Sequence, residues 1–139
     1  MNVSSSFIKK CIFELQELTE KDRPYTRLVF SKEFKEARNW LTNQFEKLDL
    51  EIKIDNAGNL IGVYKSFNNS SKKVLIGSHL DTVPFGGRFD GIAGVVSSLA
   101  ILKNFKDKNV KLPFDIQLYD CSDPEYVSRI FDWENNRGK

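Results

Sequence analysis

The stretch 92–105 constrains the fold more than any other. Ile92, Ala93, Val95, Val96, Leu99, Ala100, Ile101 and Leu102 cover nearly the whole circumference of a helix. A helix without a polar face has to be buried, and a sheet is the natural cover. Short apolar runs flank it, at 73–77 before and at 114–119 after, the second entered through Pro113. Strand, helix, strand in that order predicts a βαβ crossover with parallel strands, and so an α/β fold.

The rest of the chain can be placed around this unit. Phe7, Ile8, Cys11, Ile12, Leu15 and Leu18 recur at helical spacing behind a serine run, predicting an amphipathic helix over 4–20. Ser31 is a good N-cap for a second helix over 32–48, with Phe34, Ala37, Trp40, Leu41, Phe45 and Leu48 on one face. A polar link containing Pro24 joins the two. Residues 51–55 alternate, 56–59 carry turn chemistry, and 60–64 run back, which predicts a hairpin. The residues from Pro124 onward differ in character. Tyr126, Val127, Ile130 and Phe131 keep the spacing of a short helix before a polar end. Residues 1–123 are therefore read as one folded unit and 124–139 as a divergent tail. No internal repeat or low-complexity segment interrupts them.

Charge and cysteine content narrow the function classes. In 139 residues, 21 Lys and Arg face 19 Asp and Glu, a net charge of +2. That balance lacks the basic excess of a nucleic-acid or membrane-surface protein. The early apolar run is broken by Lys9, Lys10, Glu14 and Glu17, so it reads as neither signal peptide nor membrane span. Cys11 and Cys121 stand far apart, with neither metal-type spacing nor a disulfide framework, and a reducing, cytoplasmic setting is expected. The Asn68-Asn69-Ser70 sequon is then a chance match.

Candidate chemistry gathers where the strands end. In an open α/β sheet, sites form beyond the carboxyl ends of the strands. His79, the only histidine, and Asp81 follow the strand at 73–77. Asp90 stands at the start of the buried helix, and Asp123 and Glu125 follow the strand at 114–119. An imidazole and carboxylates on one edge suit a zinc or manganese ion, and Asp81 is placed to orient the imidazole. Plainer roles compete. Asp90 can be a helix N-cap. Asp123-Pro124-Glu125 can be an ordinary helix start. Gly86-Gly87 can be a simple turn, since no Gly-Lys-Ser/Thr follows for a phosphate loop. Cys121 has no paired base for nucleophilic work.

The wording of 77–95, GSHLDTVPFGGRFDGIAGV, resembles the first metal motif of the zinc amidohydrolases related to aminoacylase and the carboxypeptidase-G-type peptidases. It is most similar to the branch of N-carbamoyl-L-amino-acid hydrolases, allantoate amidohydrolases and β-ureidopropionases, whose pattern is GSHxDTVxxGGxFDG. Arg27, Phe30-Ser31, residues 37–41 and residues 55–62 agree with that branch, and the resemblance runs over roughly residues 10 to 123. It implies part of a three-layer α/β/α catalytic domain with a mixed, mostly parallel sheet. The smaller lid domain, through which the family dimerises, has no counterpart here. His79 would ligate one metal, Asp90 would bridge two, Glu125 would ligate the second, and Asp81 would orient His79. The Asp90-Gly91 peptide would be cis. The metals would be zinc, or manganese or cobalt, and the reaction hydrolysis of a linear C–N bond in a small carbamoyl, ureido or amide substrate.

The sequence departs from that pattern at Cys121-Ser122-Asp123-Pro124-Glu125-Tyr126. Pro124 stands where the family places its general base, and a proline cannot accept a proton. The further histidine that each metal takes in the family has no counterpart either. The chain alone is therefore expected to bind metal weakly or not at all and to be catalytically impaired. It would act as a non-catalytic partner or remnant, or as one half of a split enzyme.

Overall fold

The computed structural model describes residues 3–121. The elements are α1 (Ser5–Gln16), α2 (Lys32–Lys47), β1 (Glu51–Ile54), β2 (Leu60–Tyr64), β3 (Lys73–Ser78), α3 (Ile92–Asp107) and β4 (Asp115–Asp120). The expected tail from Pro124, with Asp123 and Glu125 at its edge, lies outside the described residues.

Local chemistry explains the element starts. Ser4 and Ser31 take extended backbone and accept hydrogen bonds from the Phe7 and Phe34 amides, satisfying donors that the first helical turn leaves open. In the hairpin turn, Asp55 Oδ1 accepts from the amides of Ala57 and Asn59, both at 3.0 Å. α1 ends at Gln16 rather than near residue 20. The reason lies at residue 27. Arg27 Nη1 donates to the carbonyls of Leu15 and Leu18, so a side chain from the next segment satisfies the last turn and the chain departs there.

The sheet order is β1-β2-β4-β3. β1–β2 and β2–β4 are antiparallel, and β3–β4 is parallel. The crossover β3–α3–β4 is thus present, with its strands adjacent. The sheet is mixed, but parallel pairing is confined to β3–β4 among the described residues. Leu60, Gly62 and Tyr64 of β2 stand opposite Asp120, Leu118 and Ile116 of β4 on one face. That face meets Leu15 of α1, Phe45 of α2 and Leu99 of α3 in a single core cluster. All three helices therefore lie on one side, and the described residues form two of the three expected layers. Ile61 and Val63 point the other way, are buried as well, and stand outside that cluster. β3 is an edge strand with Val74 and Leu75 exposed.

α2 sits on the sheet through one close approach. A Cβ added at Gly62 would lie 2.8 Å from three ring atoms of Phe45. Gly62→Ala should therefore destabilise the fold by roughly 1–3 kcal/mol, the usual cost of overpacking. Phe45→Leu in the same chain should recover part of that loss, and urea unfolding of the single and double variants measures the coupling.

Candidate functional site

The site is built on the loop between β3 and α3. β3 delivers His79 just past its last residue, and the loop returns at Asp90 to start α3. Gly91 makes this return possible. It has φ +65° and ψ −52°, and the Ile92 amide donates to the Asp90 carbonyl at 2.6 Å. This is a γ-turn of the rarer, strained hand, tolerable at glycine because it has no Cβ. The expected cis peptide at Asp90-Gly91 is not there: among the described residues every peptide is trans. The positive φ of Gly91 turns the chain instead, at lower cost than a cis bond outside proline.

Gly91 also brings the helix start against the imidazole. A Cβ there would lie 2.4 Å from the His79 carbonyl oxygen and 2.5 Å from its Cε1. Ser78 completes the contact, its hydroxyl donating to the Gly91 carbonyl at 2.6 Å. α3 has Gly91 as its N-cap, with no side-chain hydrogen bond. The capping role open to Asp90 is therefore not used, and its carboxylate is exposed.

His79 Nδ1 lies 3.1 Å from the Asp81 carbonyl oxygen and 3.3 Å from Asp81 Oδ1. Both are acceptors, so in the neutral ring they favour the proton on Nδ1 and leave Nε2 with its lone pair. The Asp81 carboxylate holds the imidazole above its ordinary pKa, against the opposing effect of burial, with Asp90 adding to the rise. Asp81 thus faces His79 Nδ1 with both its backbone carbonyl and its carboxylate.

Two residues that the sequence reading gave no role in the site stand behind it. Arg27, almost fully buried, donates from Nε to the Leu80 carbonyl at 2.7 Å. Burial depresses its guanidinium to about 10, with Asp81 and Asp120 opposing that shift. Asp120, completely buried, accepts from the Leu80 amide at 2.9 Å, and its other oxygen is 3.7 Å from Arg38 Nε. Burial pushes the Asp120 carboxyl up to about 6. One signal for Asp120 was in the sequence: it keeps the alternation of Ile116 and Leu118 and so points into the core. Nothing in the spacing marked Arg27 as buried.

The segment before α2 holds the loop from outside. The Thr82 hydroxyl donates to the Tyr25 carbonyl and accepts from the Arg27 amide, and the Phe85 amide donates to Thr26 Oγ1. Arg88 lies over the rings of Phe13 and Tyr25, at 5.5 and 5.7 Å. The turn expected at Gly86-Gly87 lies earlier, centred on Pro84 and Phe85 and closed by the Gly86 amide donating to the Val83 carbonyl at 3.0 Å.

His79 and Asp90 stand at the two ends of this loop, and the charge of Asp90 acts on the imidazole. No group of three or more His, Cys, Asp or Glu placed to hold a metal ion occurs among the described residues. Catalytic zinc takes three protein ligands, and the described residues do not bring three such donors together. Glu125, and Pro124 at the position expected of the base, lie outside the described residues. Burial raises both Cys11 and Cys121 to about 11, so neither is a thiolate at neutral pH. No described helix is long and apolar enough to cross a membrane.

No protein-family model matches the chain. It is 34% identical over 111 residues to an N-carbamoyl-L-amino-acid amidohydrolase of Pseudomonas sp. (strain NS671), covering 79% of this chain and 27% of that protein. It is 33% identical over 86 residues to an allantoate amidohydrolase of Bacillus subtilis (strain 168), covering 62% of this chain and 21% of that protein. The fold is that of a hydantoinase/carbamoylase family amidase from Burkholderia ambifaria, with a TM-score of 0.80 at 24% identity, over 85% of this chain and 29% of that one. The chain thus spans less than a third of the length of each.

Proposed function

As a homologue of the N-carbamoyl-L-amino-acid and allantoate amidohydrolases, this chain is, we propose, the part of a C–N bond hydrolase that presents one metal-facing imidazole. The substrate class is a small linear carbamoyl, ureido or amide compound. The observation that carries the reading is the state of His79. Nδ1 faces the Asp81 carbonyl and carboxylate, which in the neutral ring leaves Nε2 as the donor, and Asp90 at the far end of the loop is not used as a helix cap.

In this reading His79 and Asp90 are donors to a divalent ion, zinc or else manganese or cobalt, and Asp81 fixes the imidazole. Glu125 is a further donor. A divalent ion in such a centre supplies an activated water for attack on the carbonyl carbon. The chain's own residues hold the imidazole in the correct tautomer and keep the loop rigid. With Pro124 at the base position and one histidine in the sequence, the chain by itself is not a competent catalyst.

The test is a zinc titration of the purified chain, followed by an assay on N-carbamoyl amino acids and allantoate. Weak zinc binding is expected, reduced at least about tenfold by His79→Ala and by Asp90→Asn, with no turnover above background. Affinity unchanged in both variants would remove these residues from the metal site. Metal-dependent turnover that disappears in His79→Ala would refute the proposed incompetence.

A further inference from the structure

We propose that Arg27 is a positioning residue, which together with Asp120 grips the backbone of Leu80 from both sides and so sets the tautomer that His79 presents. Leu80 lies between His79 and Asp81 and is itself completely buried. Its amide donates to Asp120 Oδ1 at 2.9 Å, and its carbonyl accepts from Arg27 Nε at 2.7 Å. Both partners are buried and charged, and such hydrogen bonds are stronger and more directional than neutral ones. With both ends of this stretch of backbone held, the planes of the flanking peptides are fixed. The Asp81 carbonyl belongs to the next peptide, whose Thr82 amide donates to the Arg27 carbonyl at 2.8 Å, and it lies 3.1 Å from His79 Nδ1.

Three more bonds aim Arg27 itself. Nη1 is held by the Leu15 and Leu18 carbonyls, and its own amide donates to the Thr82 hydroxyl. The guanidinium thus ties the end of α1 to the loop that carries His79. Burying an arginine there is costly, and a neutral chain would fill the space if packing alone were needed. Both buried charges converge on Leu80, one on each of the two peptides that flank its Cα.

The proposal rests on His79 being a donor only for its consequence in hydrolysis. Its test needs neither metal nor substrate. With one histidine in the chain, a ¹⁵N-histidine sample gives a single imidazole, whose two nitrogens report the tautomer at a pH where the ring is neutral. The protein should show mainly the Nδ1–H form, opposite to the preference of an unconstrained histidine. Arg27→Met should lower the ratio of Nδ1–H to Nε2–H by roughly tenfold, the equivalent of one hydrogen bond. Arg27→Lys, which keeps a charge and one donor, should recover part of it. Asp120→Ala, which leaves the Leu80 amide unpaired, is the second arm should Arg27→Met fail to fold. Phe45→Leu, a core change away from the loop, should leave the ratio as it is.

A wild-type ratio in folded Arg27→Met or Asp120→Ala would overturn the grip. A wild-type protein already in the Nε2–H form would overturn it too. Failure of the zinc titration would leave these outcomes readable, so the two proposals fail separately.

Discussion

Gly91→Ala should lower stability by about 3 kcal/mol or more and displace the His79 ring, because two costs act at one residue. The first is conformational. An alanine has to keep φ near +65° and ψ near −52°, a γ-turn that side chains with a Cβ seldom adopt. The second is steric. The added methyl would stand 2.4 Å from the His79 carbonyl oxygen and 2.6 Å from Nδ1, so ring or helix start has to move. Gly87→Ala separates these terms. Gly87 also has positive φ, at +91°, but nothing lies within 4 Å of the position of an added Cβ. It should lose only about 1 kcal/mol and leave the imidazole unchanged. Urea unfolding gives the stabilities, and the single imidazole resonance reports the ring. Equal losses in the two variants would mean that the approach of Gly91 to His79 is not as tight as described.

Asp120 gives the second large effect, one that depends on pH. Its carboxyl is raised from 3.8 to about 6 by burial, so the folded protein holds a proton that the unfolded chain has already released. A raised carboxyl contributes its full stability below about 3.8, and that contribution is lost as pH rises toward 6. A shift of about 2 units corresponds to roughly 3 kcal/mol. Asp120→Asn carries no such proton. Its stability relative to the wild type should therefore rise between about pH 4 and pH 6 and level off above. Denaturant midpoints at several pH values test this. A constant difference between the two proteins would show that Asp120 does not titrate across that range.

Much of the fold could be read from the sequence because it depends on patterns. The all-round apolar helix required a sheet, and β3–α3–β4 is the crossover it predicted. Ser31 was an evident cap, and the alternation around the turn at 56–59 gave the hairpin. The features that were not legible depend on groups distant in sequence. α1 ends early because Arg27 satisfies its carbonyls, and no local pattern foretells that. The helices lie on one side because Leu60, Gly62 and Tyr64 share a face with Ile116 and Leu118, a register only tertiary pairing reveals. In the loop between β3 and α3, the motif singled out His79, Asp81 and Asp90, but the turn between Asp90 and Ile92 took the opposite solution from the one expected. Glycine offered a cheaper route than a cis bond.

The grip on Leu80 also bears on how the chain folds. Its two jaws come from residue 27, after the first helix, and residue 120, at the end of the last described strand. Closing contacts over 53 and 40 residues carries a loop entropy that only the finished core can offset. Residues 25–27 can tie the loop bearing His79 before β4 is made, but its bond to Asp120 cannot form until then. A ribosome-bound intermediate ending before β4 would thus have a partner for the Leu80 carbonyl and none for its amide. The second jaw closes only as β4 pairs with β3.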